Sequence, residues 1–178
     1  LNKNIFYLVG FPATGKTFFR KNMFLSDKYF IVSPDDIIED MAKKQNITYN
    51  EAWKTVNFRD LYKQIQQNVN IAVQEGKHIV VDMTNLTVNA RKRWKVPSFY
   101  KRYAIRFNYD KHAEACLKRR NKIGNKIIDF FALENMRKTN CPINKSTENF
   151  IRVFNADEIK AGDWEIILDT LLIDGDKT

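Results

Sequence analysis

Ile5-Phe6-Tyr7-Leu8-Val9-Gly10-Phe11-Pro12-Ala13-Thr14-Gly15-Lys16-Thr17 is the stretch on which the fold turns. Five consecutive apolar residues leave no polar face, the pattern of a strand buried on both sides of a sheet. Gly10 ends the run, and residues 16–24 read as a helix. Between them, residues 10–17 set two glycines, a lysine and a hydroxyl residue at phosphate-loop spacing. Backbone N–H groups curl around a β-phosphate only where the chain turns sharply, which Gly15 permits, and the helix behind offers its positive end. Gly10, Ala13, Thr14, Gly15, Lys16 and Thr17 are therefore the candidate residues for ATP or another nucleoside triphosphate. Lys16 is placed to bridge the β- and γ-phosphates, and Thr17 to ligate Mg²⁺. A glycine turn with an incidental lysine is the alternative. With Gly at about 7% of residues, a chance match has odds of roughly one in a few hundred.

Working outward, short apolar runs alternate with helical spacing. Phe30-Ile31-Val32 is a second strand, closed by Ser33-Pro34, after which Asp35 and Asp36 open a helix reaching residue 44. Thr48 and Glu51 form a capping box, and Leu61, Ile65, Val69 and Ala72 recur at helical spacing before Gly76 closes that helix. Ile79-Val80-Val81 is a third strand, ended by Asp82-Met83-Thr84-Asn85. A short helix over 88–95, a strand over 103–107 and helices over 111–120 and 127–138 follow, with a lid expected at 118–126. A last strand is expected at 164–168, partnered by 150–154. The alternation predicts an α/β fold: a doubly wound, mainly parallel sheet with flanking helices and a helical lid. Residues 1–178 read as one domain of P-loop nucleotide-binding type. Its ligands belong at the carboxyl ends of the strands, where Gly10, Asp35 and Asp82 all fall.

Composition narrows the class. The 44% apolar and 29% charged content is that of a globular protein, and no run approaches the ~20 apolar residues a membrane span requires. The opening residues lack the features of a secretory signal, so a cytoplasmic location is expected. Cys116 and Cys141 make no CxxC pair and read as packing thiols. The net charge of +9 is regional: residues 83–126 hold thirteen Lys or Arg against Asp110 and Glu114, and the remainder is slightly acidic. Such a stretch attracts a polyanion such as a nucleic acid, or is a solvated face with the arginines of a lid.

Asp35 stands just past the second strand, where the acceptor of a γ-phosphoryl group lies beside the loop. A carboxylate there can take the proton of an attacking hydroxyl. The competing reading makes Asp35 and Asp36 helix caps, which suits Asp36 better. Asp82 is placed either to hold Mg²⁺ or to fix Lys16 or Thr17, with a turn-initiating role as the alternative. Thr84 and Asn85 offer polar side chains beside the acceptor. Of Arg119 and Arg120, one is expected to clamp the triphosphate as the lid closes.

With these residues assembled, the chain resembles the polynucleotide 5′-hydroxyl kinases of the phage and kinase-phosphatase type. The resemblance rests on GFPATGKT at 10–17, Ser33-Pro34-Asp35-Asp36, VVDMTNLTVNARKRW at 80–94 and, more weakly, residues 117–121. It implies transfer of the γ-phosphate of ATP to a 5′-hydroxyl of DNA or RNA in nucleic-acid repair. The implied roles are Lys16 in catalysis, Asp35 as general base, Asp82 as site support, Thr84 on the acceptor side and Arg120 as lid arginine. A phosphatase or ligase acting on the same ends is the partner class this leaves open. One departure stands out: the family arginine three positions after the base is Ile38 here, leaving Arg91 or Arg93 to contact the acceptor phosphate. A kinase of a small hydroxylated molecule and a nucleotide-gated nucleic-acid-binding module remain the alternatives.

Overall fold

The computed structural model describes residues 3–176, so the outermost two residues at each end of 1–178 lie outside the described residues. Five parallel strands form one sheet: β1 (Lys3–Val9), β2 (Tyr29–Val32), β3 (His78–Asp82), β4 (Tyr100–Arg106) and β5 (Phe150–Asn155). Their order is β2-β3-β1-β4-β5. All four pairings are parallel, with Leu8 of β1 opposite Asp82 of β3 and Ile105 of β4. The chain moves outward from β1 on one side, then crosses from β3 to β4 on the other. The carboxyl ends of β1 and β3 therefore flank the point where the winding reverses, the place such sheets leave open for a ligand.

Alternation along β1 divides the core into two layers. Ile5, Tyr7 and Val9 join the cluster under α2 (Pro34–Gln45), α3 (Tyr49–Thr55) and α4 (Phe58–Gln74). Phe6 and Leu8 join the opposite cluster, with Phe24 after α1 (Lys16–Met23) and Trp164 and Leu168 of α8 (Ala161–Asp176). Burying each such large apolar side chain contributes about 1.5–3 kcal/mol. The remaining helices are α5 (Val88–Arg91), α6 (Lys111–Ile123) and α7 (Phe130–Thr139). The predicted capping box is present, with Thr48 and Glu51 exchanging side-chain and backbone hydrogen bonds at the start of α3.

Two assignments change. Residues 164–168 are not a strand but lie inside α8, where Trp164 and Leu168 are buried and Ile166 is 67% exposed. A spacing of four residues puts the first two on one helical face, whereas an interior strand would also have buried Ile166. β5 pairs with β4 instead. α5 stops at Arg91, four residues short of the helix read over 88–95. Among the described residues no helix is long and apolar enough to cross a membrane.

Candidate nucleotide and acceptor site

The loop between β1 and α1 has the backbone its sequence calls for. Gly15 is left-handed, with φ 92°, and Ala13 shares that sign at 64°. Gly10 is required for another reason: a Cβ there would come within 2.9 Å of the Phe107 carbonyl and of Thr14 Oγ1. Its N–H donates to the Thr84 carbonyl at 3.0 Å, tying the loop to the end of β3. Lys16 Nζ folds back on the loop, donating to the carbonyls of Gly10 at 2.8 Å and Phe11 at 2.6 Å. Thr14 Oγ1 in turn donates to the Phe11 carbonyl. Burial pushes the Lys16 ammonium down to about 8, against the opposing pull of Asp82 and Asp35.

A cavity of about 370 Å³ opens over this loop, lined by Ala13, Gly15, Lys16, Thr17 and, from α6, Arg119 and Arg120. Phe18, Cys116 and Ile123 complete its wall. The two arginines differ in exposure. Arg119 is exposed, with Nη2 4.0 Å from Cys116 Sγ. Arg120 is half-buried, and its Nε and Nη2 atoms have no hydrogen-bond partner among the described residues. Buried donors left unmade are costly, so a guanidinium held this way fits an anion in the cavity.

Asp82 is buried at the end of β3, and burial raises its pKa despite Arg20 and a hydrogen bond from Thr17. Arg20, which the sequence reading passed over, lies 2.9 Å from Asp82 and 2.9 Å from Asp36. It braces α1 against β3 and α2. The hydrogen bond between Thr17 and Asp82 sets two hard oxygens side by side behind the loop. This donor set fits Mg²⁺, which takes one or two protein oxygens and completes its shell with phosphate and water.

On the acceptor side, Asp35 is not a cap. Ser33 Oγ accepts the Asp36 N–H and caps α2, so Asp36 is not the cap either; its carboxylate binds Arg20. The Asp35 side chain is half-exposed and held at both oxygens. Tyr49 donates its hydroxyl to Oδ1 at 2.6 Å, and Lys126 Nζ donates to Oδ2 at 2.6 Å. That contact raises the Tyr49 hydroxyl, after the larger effect of burial. Lys126 also reaches Glu39 at 3.2 Å and lies 4.2 Å from the centroid of the Tyr49 ring. Neither Tyr49 nor Lys126 carries a local sequence signal for this role, since they meet Asp35 from 14 and 91 residues away.

Several expected acceptor contacts are corrected. Asn85 is fully buried with φ 49°, and its Nδ2 donates to the carbonyls of Leu8 and Val81. It shapes the turn after β3 and touches no acceptor. Arg91 is also fully buried, paired with Glu148 at 2.6 Å and donating to the carbonyls of Asn85 and Cys141. It anchors residues 141–148 to α5. Ile38 lies in the core. Thr84 stays half-buried beside the loop, and Arg93 is exposed above the Tyr62 ring, 4.2 Å from its centroid. The basic stretch is thus not one solvated face. Arg91 and Lys126 are paired, Arg102 stacks on Tyr7 and Phe150, and Lys118 pairs with Glu114.

Comparisons with known proteins agree with this fold. A search of curated proteins finds no match. Among solved structures, a candidate kinase from Chloroflexus aurantiacus is similar at a TM-score of 0.63 and 15% identity, over 98% of each chain. Kti12 from Chaetomium thermophilum, determined with ADP-AlF3, is similar at a TM-score of 0.57 and 14% identity, over 96% of this chain and 98% of that one. A chain of the Pnkp1/Rnl/Hen1 RNA repair complex aligns at a TM-score of 0.58 and 17% identity, over 77% of this chain but 43% of its own length. At these identities the likeness is one of fold, the P-loop kinase-like arrangement of a parallel sheet. The family model AAA_33, described as an AAA domain, matches residues 5–126, which contain the loop and both strand-end aspartates. The chain therefore belongs to this AAA domain family, with a P-loop nucleotide-binding fold.

Proposed function

We infer that this chain transfers the γ-phosphate of ATP to a hydroxyl group, and that the hydroxyl is the 5′-end of a DNA or RNA strand. One observation carries the transfer reading. Asp35 presents a half-exposed carboxylate that is not the α2 cap, and Arg120, with Nε and Nη2 lacking a hydrogen-bond partner among the described residues, lines the adjoining cavity. Ser33, not Asp35, supplies the side-chain cap of α2, which weighs against capping as the role of Asp35.

In the reaction the acceptor oxygen forms a bond to the γ-phosphorus while the bond from that phosphorus to the β,γ-bridging oxygen breaks. The acceptor proton passes to Asp35, and ADP leaves with the bridging oxygen. Lys16 exchanges the Gly10 and Phe11 carbonyls for phosphate oxygens, and Arg120 gives its free donors to charge developing on the transferred group. Thr17 and Asp82 are the residues that would hold Mg²⁺, which supplies charge neutralisation between the phosphates. Tyr49 keeps the Asp35 carboxylate aimed.

The 5′-end of a nucleic acid as acceptor is supported by the resemblance over residues 10–17, 33–36 and 80–94 and by exposed Arg93 and Lys95. The fold shared with a chain of an RNA repair complex is in keeping with it. The burial of Arg91 and Ile38 favours the second reading, a small hydroxylated acceptor. Asp35→Asn tests the chemistry: turnover should fall by roughly 10²–10⁴ while ADP affinity holds within about twofold. Parallel loss of both would make Asp35 structural and remove the transfer reading.

A further inference from the structure

The segment after α6 reaches from the nucleotide cavity to the acceptor carboxylate. Arg120 lines the cavity; six residues later Lys126 touches Asp35. The chain between them is fastened to α3 at three points. Asn125 Oδ1 accepts the Tyr49 N–H, Asn50 Nδ2 donates to the Ile127 carbonyl, and the Ile127 N–H donates back to Asn50 Oδ1. Asn121 closes the segment on itself through Ile128. Gly124, at φ 84°, turns the chain out of α6 so that these contacts are made. The Lys126 side chain is 18% exposed, although the segment around it is mostly exposed.

Lys126 approaches Asp35 on the oxygen that Tyr49 leaves, and Glu39 and the Tyr49 ring fix its direction. Tyr49 comes from α3, in the body of the fold, and Lys126 from the segment that follows α6.

We propose that Lys126 is a positioning residue that couples lid closure to the base: it holds the Asp35 carboxylate in its reactive orientation only when the segment bearing Arg120 has closed over the nucleotide. The coupling rests on Asp35 as the proton acceptor in the transfer reading. It leaves the transfer itself unchanged: the acceptor proton still goes to Asp35, and Lys126 keeps its own protons. Asp35 is held by Tyr49 alone in the open state, so a hydroxyl, water included, meets an unaligned base until ATP brings the lid down.

The test is a double-mutant cycle on turnover with γ-labelled ATP and a 5′-hydroxyl oligonucleotide. Lys126→Met should lower kcat by about tenfold to hundredfold with the KM for ATP unchanged, and Lys126→Arg should restore most of it. Because Lys126 acts through Asp35, Asp35→Asn with Lys126→Met should be no slower than Asp35→Asn alone, within about twofold. Multiplying losses, or full activity in Lys126→Met, would overturn the proposal, since a merely structural lysine harms the enzyme whether or not the base is present. A second measurement needs no turnover. In the protein saturated with a non-hydrolysable ATP analogue, Lys126→Met and Asp35→Asn should each speed hydrogen exchange at the Ile127 and Ile128 amides to a similar extent. Unchanged exchange in either variant would contradict the latch. A wild-type protein that labels no oligonucleotide but shows this paired loss of protection would refute the nucleic-acid acceptor and keep the coupling.

Discussion

Raising the pH should weaken nucleotide binding through Lys16 and make binding take up a proton. Burial lowers the ammonium to about 8 in the empty protein, from an ordinary 10.5. Bound phosphates replace neutral carbonyls with negative charge and return the group to its ordinary range or above. The sign follows: the cation that phosphate needs is fully present below about pH 7 and is lost from the free protein as pH rises through 8. At pH 9 about nine in ten free molecules carry a neutral Lys16, so affinity for ADP should be about tenfold below its value at pH 7, with about 0.9 proton taken up per ADP bound. Titration calorimetry in two buffers of different ionisation enthalpy, with metal chelated, measures both quantities. Lys16→Met should abolish the uptake while retaining weak binding. Binding at pH 9 without proton uptake would show that Lys16 is not the buried cation facing the phosphates.

Arg120→Ala should lower kcat by roughly 10²–10³ and ADP affinity only severalfold, because its free donors are spent on charge that develops in transfer; steady-state kinetics with direct ADP titration separates the two. Glu148→Ala leaves Arg91 buried without its carboxylate, a loss of about 3–5 kcal/mol, and thermal melting should show a drop of about 6–20 °C with turnover per folded molecule intact. A raised KM for the oligonucleotide without loss of stability would instead return Arg91 to the acceptor site.

Much of this was legible because its causes are local. The run at residues 5–9 has no polar face, Gly15 must adopt positive φ, and Asp35 and Asp82 stand at or just past the ends of apolar strands, so sequence alone places them around one point. Residues 164–168 read as a strand because a short, mostly apolar stretch suits strand and helix alike; the four-residue spacing of Trp164 and Leu168 holds the answer. Arg91 illustrates another limit. Its charge points to phosphate in sequence, but Glu148, 57 residues away, claims it in the fold. Tyr49, Arg20 and Lys126 were invisible for the same reason: each acquires its role from a partner that only folding brings near.

Transfer to the 5′-hydroxyl of a nucleic acid is read from the destination of label from γ-labelled ATP. A ten-nucleotide strand with a 5′-hydroxyl, the same strand with a 5′-phosphate and a nucleoside should be offered at equal concentration, at low and at raised salt. Label should appear at the 5′-end of the first strand, not on the 5′-phosphorylated strand and well above the nucleoside, with oligonucleotide affinity falling as salt rises at a slope of about −0.7 per phosphate contact. Equal labelling of the nucleoside and the strand, or affinity independent of salt, would contradict it and assign the site to a small hydroxylated acceptor.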